Sequence, residues 1–361
     1  MESTNKNKKK YETRLPIVSF VFAFVGVTLC MWGASWDITS HLLRIPETFF
    51  TPSHGILYLG VGINVISAIV AVVSLLRKKQ QIQKEILFPL KLIIIGSIMQ
   101  TIAGPGDFYW HEMFGIDGLM SPTHILLALG IMIVSISSTI GFSRINVDNQ
   151  KKKYFLNKIT IGSLGVFWFS MMWIIFFFVL PISEGDTHDF NPDPYFAIIL
   201  SFVALPFAFS LVFWSGTLIS RGFGAASGTA IVFLSMNITS NIITSNNLFM
   251  YLPWFAIPIT SAIIADYMLV KEFSNSFVQK HKEKIAGSIL GTTFFIFCFP
   301  MLAMTFLEVY VFNDVFSYDI LHVASDSVFQ IWMLTIIPGA IGGMAGMMFA
   351  SKRIKRIPRL E

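Results

Sequence analysis

Apolar stretches long enough to cross a bilayer, about 20 residues each, recur along the whole chain. They fall near 15–36, 54–76, 86–104, 124–143, 158–181, 195–217, 223–243, 248–270, 285–312 and 329–350. This pattern predicts an all-α, polytopic membrane bundle of about ten transmembrane helices. The seventh stretch is the most polar, because Ser235, Asn237, Thr239, Ser240 and Asn241 fall within it. Asn237 and Asn241 share one helix face and require partners inside the bundle.

Polar residues between the stretches carry the chemistry. Asp37-x₃-His41-x₁₂-His54 is followed 70 residues later by Asp107-x₃-His111-x₁₂-His124, with the same internal spacing. The last His is reached through Thr51-Pro52-Ser53-His54 in one motif and Ser121-Pro122-Thr123-His124 in the other. Leu57, Leu59 and Gly60 then correspond to Leu127, Leu129 and Gly130. Each motif spans the end of one helix, a short loop and the start of the next. Asp and His four residues apart share a helix face. Thr51 and Ser121 suit N-caps, and Pro52 and Pro122 suit the first helical position, where a missing N–H does no harm. His54 and His124 then fall in a first turn. There the positive end of the helix dipole disfavours imidazolium and keeps the ring able to bind a metal.

The expected metal ligands are therefore Asp37, His41 and His54 in one site and Asp107, His111 and His124 in the other, with Glu47, Glu112 and Asp117 as supporting carboxylates. Two imidazoles and a carboxylate suit copper, zinc or non-haem iron. Ionisable groups at membrane depth are rare and serve function by default.

Charge sets the expected orientation. With the N-terminus inside, the segments around 1–14, 77–91, 144–158, 221, 271–284 and 352–359 share one side and hold 25 of the 26 Lys and Arg, leaving only Arg44 opposite. Positive charge marks the cytoplasmic side, so both termini are expected in the cytoplasm of a multi-pass cell-membrane protein, with the metal motifs on the outer side. The net charge of +5 is explained by these topology signals beside anionic lipid, and no nucleic-acid partner is expected. An uncleaved first helix fits better than a signal peptide, since cleavage at its far end would threaten Asp37. The division of the chain is a cytoplasmic tail at 1–14, a hairpin region at 15–143 and a six-helix membrane region at 144–361.

Composition agrees with this class: 54% of residues are hydrophobic, 13% are charged, and mean hydropathy is +0.67. Cys30 and Cys298 are far apart without a CxxC, so neither a disulfide framework nor c-type haem is indicated. Clustered cytoplasmic His for a membrane di-iron centre, a phosphate-binding Gly loop and a Ser-His-Asp arrangement do not stand out. The outer-loop groups Glu184, Asp186, His188, Asp189 and Asp319, His322, Asp326 read first as solvated acidic loops.

Over residues 30–143 the chain resembles the C subunit of the copper-dependent particulate methane and ammonia monooxygenases. Trp110-His111, Asp117 and Ser121-Pro122-Thr123-His124 look like that family's copper motif, and Thr51-Pro52-Ser53-His54 matches its closing tetrapeptide. Glu47 stands six residues past His41, as Asp117 stands past His111. The family's next hairpin carries a second site built on Asn, where this chain has Asp107. The resemblance implies copper, a helical membrane fold and partners resembling the A and B subunits, with a homo-oligomer as the other association expected. It places the chain as a subunit or diverged relative of a monooxygenase. A non-enzymatic copper transporter, chaperone or sensor would use the same ligands.

Overall fold

The computed structural model describes residues 13–42, 45, 48, 50–78, 81–115, 120–145, 149–178, 194–220, 222–244, 252–297 and 320–354. All ten elements among them are helices: α1 (Arg14–Leu42), α2 (Pro52–Lys78), α3 (Lys84–Phe114), α4 (Pro122–Arg144), α5 (Gln150–Phe177), α6 (Pro194–Ser220), α7 (Ala225–Thr244), α8 (Leu252–Val270), α9 (Ser276–Phe297) and α10 (Ile320–Ile354). Among the described residues, seven helices, α1 to α7, are long and apolar enough to cross a membrane, and Ile259–Val270 is a shorter apolar helix. The span in α7 has the lowest mean hydropathy of the seven, 1.3, as its Ser, Thr and Asn content requires.

Several helices run beyond their apolar stretches. α3 continues to Phe114 through Pro105, α9 begins at Ser276, and α10 begins at Ile320. Hydropathy marks the part of a helix that meets lipid, whereas polar and charged turns outside that slab remain helical when their backbone is capped. Asn149 opens α5 by accepting from the N–H groups of Lys151 (2.9 Å) and Lys152 (3.2 Å). α7 is capped by another helix: Asp266 of α8, fully buried, accepts from Ala226 N and Ser227 N, each at 2.9 Å, and from Ser227 Oγ at 2.6 Å. A carboxylate at a helix N-terminus satisfies open N–H groups and complements the dipole.

The first four helices pack as two hairpins, α1 on α2 and α3 on α4, with α2 against α3 and α1 closing on α4. Lipid supplies no hydrophobic drive between helices, so they associate through close packing and hydrogen bonds. Both devices occur in each hairpin, at the 70-residue offset of the motifs. A Cβ on Gly60 would lie 2.6 Å from the Gly26 carbonyl, and one on Gly130 would lie 2.9 Å from the Gly96 carbonyl. Ser67 Oγ donates to the Ser19 carbonyl at 2.7 Å, and Ser137 Oγ donates to the Pro89 carbonyl. Pro89 has no N–H, but its carbonyl serves the same neighbour.

Of the asparagines of α7, Asn241 finds a partner on α1, and Asn237 is paired with Asn241. Asn241 Nδ2 donates to Asn237 Oδ1 at 2.6 Å, Thr39 Oγ1 donates to Asn241 Oδ1 at 2.8 Å, and Ser240 Oγ donates to Ser35 Oγ at 2.9 Å. Trp32 Nε1 donates to Thr239 Oγ1 at 3.0 Å. This polar seam clamps the end of α1 that carries Asp37. Elsewhere, bulky apolar side chains such as Leu59, Ile69, Leu76, Ile95 and Ile102 are exposed, as lipid-facing positions are. Cys30 is buried and unpaired; Cys298 lies outside the described residues.

Candidate metal centre

Both tetrapeptides start their helices at Pro, as the sequence predicts; Ser121 caps with its side chain as expected, whereas the Thr51 hydroxyl bonds back to Thr48. Helix α4 starts at Pro122, with Ser121 in extended backbone and its Oγ accepting from His124 N at 3.1 Å. Helix α2 starts at Pro52, and Gly55 N donates to the Thr51 carbonyl at 3.0 Å. His54 and His124 consequently sit in first turns, facing back toward the last turns of α1 and α3.

In the second hairpin the three motif residues converge. The ligand atoms of Asp107, His111 and His124 all lie within 4.8 Å of one another. His124 Nε2 is 3.2 Å from Asp107 Oδ1, and His111 Nε2 is 3.5 Å from Asp107 Oδ2. The imidazole centroids are 5.8 Å apart. The His and Asp side chains are a quarter to a third exposed, so solutes can reach the group.

In the first hairpin His54 Nε2 lies 2.8 Å from Asp37 Oδ1. His41 falls in the last turn of α1, with its side chain outside the described residues. Glu47 and Asp117 also lie outside them. Glu112 is exposed on α3. Of the acidic groups in the second half, residues 184–189 and Asp319 lie outside the described residues. His322 and Asp326 fall within α10, not in a loop, with side chains likewise outside.

Each carboxylate is held by a hydroxyl that spacing alone does not single out. Ser53 Oγ donates to Asp37 Oδ1 at 3.0 Å, and Thr123 Oγ1 donates to Asp107 Oδ1 at 2.6 Å. Both are the third residue of their tetrapeptide. The signal was present in the sequence as a hydroxyl residue directly before each closing His.

The His contacts define a donor set. A backbone carbonyl only accepts, so a ring nitrogen bonded to one carries a proton. His54 Nδ1 meets the Thr48 carbonyl at 3.0 Å, and His111 Nδ1 meets the Gly115 carbonyl at 2.9 Å. In both rings the opposite atom, Nε2, then faces a carboxylate oxygen. A neutral ring would bring a lone pair against a carboxylate, which is favourable only with a positive charge between or on the pair. Metal-binding His commonly have this arrangement, one nitrogen donating to a carbonyl and the other left for the ion. Ligands about 2.0–2.1 Å from an ion, at square-planar or tetrahedral angles, lie about 3 Å from each other. The carboxylate–imidazole distances in both hairpins fit that range.

Comparison of the chain with protein-family models, with curated proteins and with solved structures finds no match.

Proposed function

We propose that this is a copper-binding integral membrane protein, with one cation site at the loop end of each N-terminal hairpin. The observation that carries the reading is the convergence of Asp107, His111 and His124, with their ligand atoms within 4.8 Å of one another. Asp107, His111 and His124 would hold one ion, and Asp37, His41 and His54 the other. The two hairpins are read as copies of one unit, supported by the matching serine and glycine contacts and by the paired hydroxyl-to-carboxylate bonds. The donor set also suits zinc and non-haem iron; copper is favoured by the resemblance to the monooxygenase C subunit over residues 30–143.

That resemblance supports a role as a subunit or relative of a copper-dependent membrane monooxygenase, beside A-like and B-like subunits or in a homo-oligomer. A bound ion there would polarise or activate oxygen species, and the protein would supply the ligand geometry and the hydroxyls that hold the carboxylates. A second reading, metal transfer without catalysis, is favoured by polar groups deeper in the same four helices. Asn64 Nδ2 donates to Gln100 Oε1 at 2.8 Å, with Cys30 Sγ 3.8 Å from that oxygen. Asn64 Oδ1, buried without a hydrogen-bond partner among the described residues, would offer a passing cation an oxygen donor.

The proposed topology has ten spans, both termini in the cytoplasm and the metal motifs outside, resting on the 25-to-1 division of basic residues. The decisive experiment is metal analysis of the purified full-length protein against a variant with His41, His54, His111 and His124 all replaced by Ala. Copper bound to the former and lost from the latter is the expected result. Equal metal content in both would leave these histidines with structural roles.

A further inference from the structure

Cys30, Asn64 and Gln100 are buried near the middles of α1, α2 and α3 and form a polar node there. Cys30 and Gln100 hold the same position of the two hairpins, 70 residues apart, and meet across the bundle. Two oxygens stand beside Cys30 Sγ, the Leu57 carbonyl at 3.6 Å and Gln100 Oε1 at 3.8 Å. Asn64 Nδ2 donates to Gln100 Oε1 at 2.8 Å and lies 3.7 Å from Sγ. Asn64 Oδ1 and Gln100 Nε2 are buried with no hydrogen-bond partner among the described residues. Packing alone does not call for an amide at this level, since the position 70 residues after Asn64 is the buried Val134. Two glycines leave the room the polar atoms use. A Cβ on Gly26 would stand 2.2 Å from Asn64 Oδ1, and one on Gly60 would stand 2.7 Å from Cys30 Sγ.

We propose that this node binds a soft monovalent cation, Cu(I), through Cys30 Sγ, Gln100 Oε1 and the amide oxygen of Asn64. The site deepens the metal-transfer reading above, and its test does not use the four motif histidines.

The spacing suits an ion. A sulfur about 2.3 Å from a transition metal and an oxygen about 2.0–2.2 Å from it stand about 3.6–3.8 Å apart at tetrahedral or trigonal angles. The two oxygens beside Sγ lie at those distances. A half turn of the Asn64 amide places Oδ1 where Nδ2 stands, 2.8 Å from Gln100 Oε1, which is an ordinary separation for two oxygens on one ion. Thiolate selects Cu(I) by its softness. Binding exchanges one cation for another: Cys–SH + Cu⁺ gives Cys–S–Cu + H⁺. The S–H bond breaks, the S–Cu bond forms, copper keeps its oxidation state and the proton leaves to solvent. The product is neutral, so no charge is left in the bilayer interior. A divalent ion on the same donors would leave one positive charge buried and unpaired, which is strongly unfavourable.

The test uses full-length protein carrying His41→Ala, His54→Ala, His111→Ala, His124→Ala and Cys298→Ala. It is titrated anaerobically with Cu(I) and with Ag(I) against a competing chelator, with a non-thiol reductant present for Cu(I). One equivalent should bind, with thiolate-to-metal charge-transfer absorption and release of about one proton per ion. Adding Cys30→Ser should abolish all three signals, with size exclusion confirming that the protein remains folded. Asn64→Val and Gln100→Leu, each added with Cys30 kept, should weaken binding by about ten-fold or more, the lower end for groups that support a metal site. Absence of the charge-transfer band in the protein that retains Cys30 would overturn the site. Unchanged affinity in both amide variants would reduce it to a lone thiol and overturn it equally, and Zn(II) bound as tightly as Cu(I) would refute the selectivity for a monovalent ion. None of these outcomes touches the outer sites, which are read with Cu(II) in protein that keeps its histidines.

Discussion

Thr123 holds Asp107 through a 2.6 Å hydrogen bond from its hydroxyl to Oδ1, across the loop that joins α3 to α4. Ser53 does the same for Asp37 across the loop from α1 to α2, at 3.0 Å. The tetrapeptide that opens each of α2 and α4 thus has three separate tasks. Its first residue begins the helix, its Pro fixes the entry backbone, and its third residue orients the carboxylate next to the closing His. Asp107 lies about two turns before the end of α3, and its carboxylate is held there by the hydroxyl and the two imidazoles.

Removing that hydroxyl should therefore reach the metal without touching a ligand. Thr123→Val keeps the shape of the side chain, and loss of a hydrogen bond to a charged group costs about 1.5–3 kcal/mol. Supporting residues of this kind typically change metal affinity by about 10–100-fold. Chelator competition on Thr123→Val should show weakening in that range at the second site only, and Ser53→Ala should act likewise at the first. Affinity within two-fold of wild type would mean that the hydroxyls serve the helix start alone.

The ligand pairs make a separate prediction. His111→Ala with His124→Ala should remove about one metal equivalent per chain, since too few donors remain to hold the ion. His41→Ala with His54→Ala should remove another, independently. Quantitation of bound copper in the two double variants checks this. Complete loss in either one alone would show that the hairpins share a single ion.

How much of this was legible in the sequence follows from which interactions are local. Helix class, hairpin ends and the N-terminal Pro follow from residues within a few positions of one another, and α2 and α4 start at Pro52 and Pro122 as predicted. The need of Asn237 and Asn241 for partners was readable, because unpaired amides are costly in a bundle. Asn241 meets Thr39 of α1, 202 residues away in sequence, and the adjoining Ser240 meets Ser35, 205 residues away; no spacing rule selects either. The apolar stretch at 86–104 marks only part of α3, which runs on through Pro105 to Phe114, because hydropathy does not report helical turns outside the apolar slab.

The paired glycines should limit how close the two helices of each hairpin can come. A Cβ on Gly96 would lie 2.7 Å from the Gly130 carbonyl, and one on Gly60 would lie 2.6 Å from Cys30 N. Both obstacles are backbone, so neither can rotate away, and the helices must separate. Overpacking of this sort costs about 1–3 kcal/mol. Gly96→Ala and Gly60→Ala should each lower the thermal midpoint of the detergent-solubilised protein, whereas Gly62→Ala, whose Cβ would meet nothing within 4 Å, should not. An unchanged midpoint in both tight variants would contradict the close approach of the hairpin helices.

The seam between α1 and α7 predicts an effect on the first site from the far half of the chain. Asn241 accepts from Thr39, two residues beyond Asp37, and is itself held by Asn237. Replacing Asn241 by Leu leaves the Thr39 hydroxyl with its bond to the Ser35 carbonyl, 2.7 Å away, so no buried donor is orphaned on α1. What is lost is the clamp on the end of the helix that bears Asp37 and His41. Hydrogen bonds between membrane helices contribute about 0.6 kcal/mol on average, so global stability should fall only slightly. Metal geometry is far more sensitive, because a displaced carboxylate no longer meets the closing His. Asn241→Leu should therefore weaken metal binding at the first site several-fold and leave the second unchanged, as read by titration in the His111→Ala/His124→Ala background and in the His41→Ala/His54→Ala background. Equal weakening in both backgrounds would point to general loosening of the bundle, and the local role of the seam would be refuted.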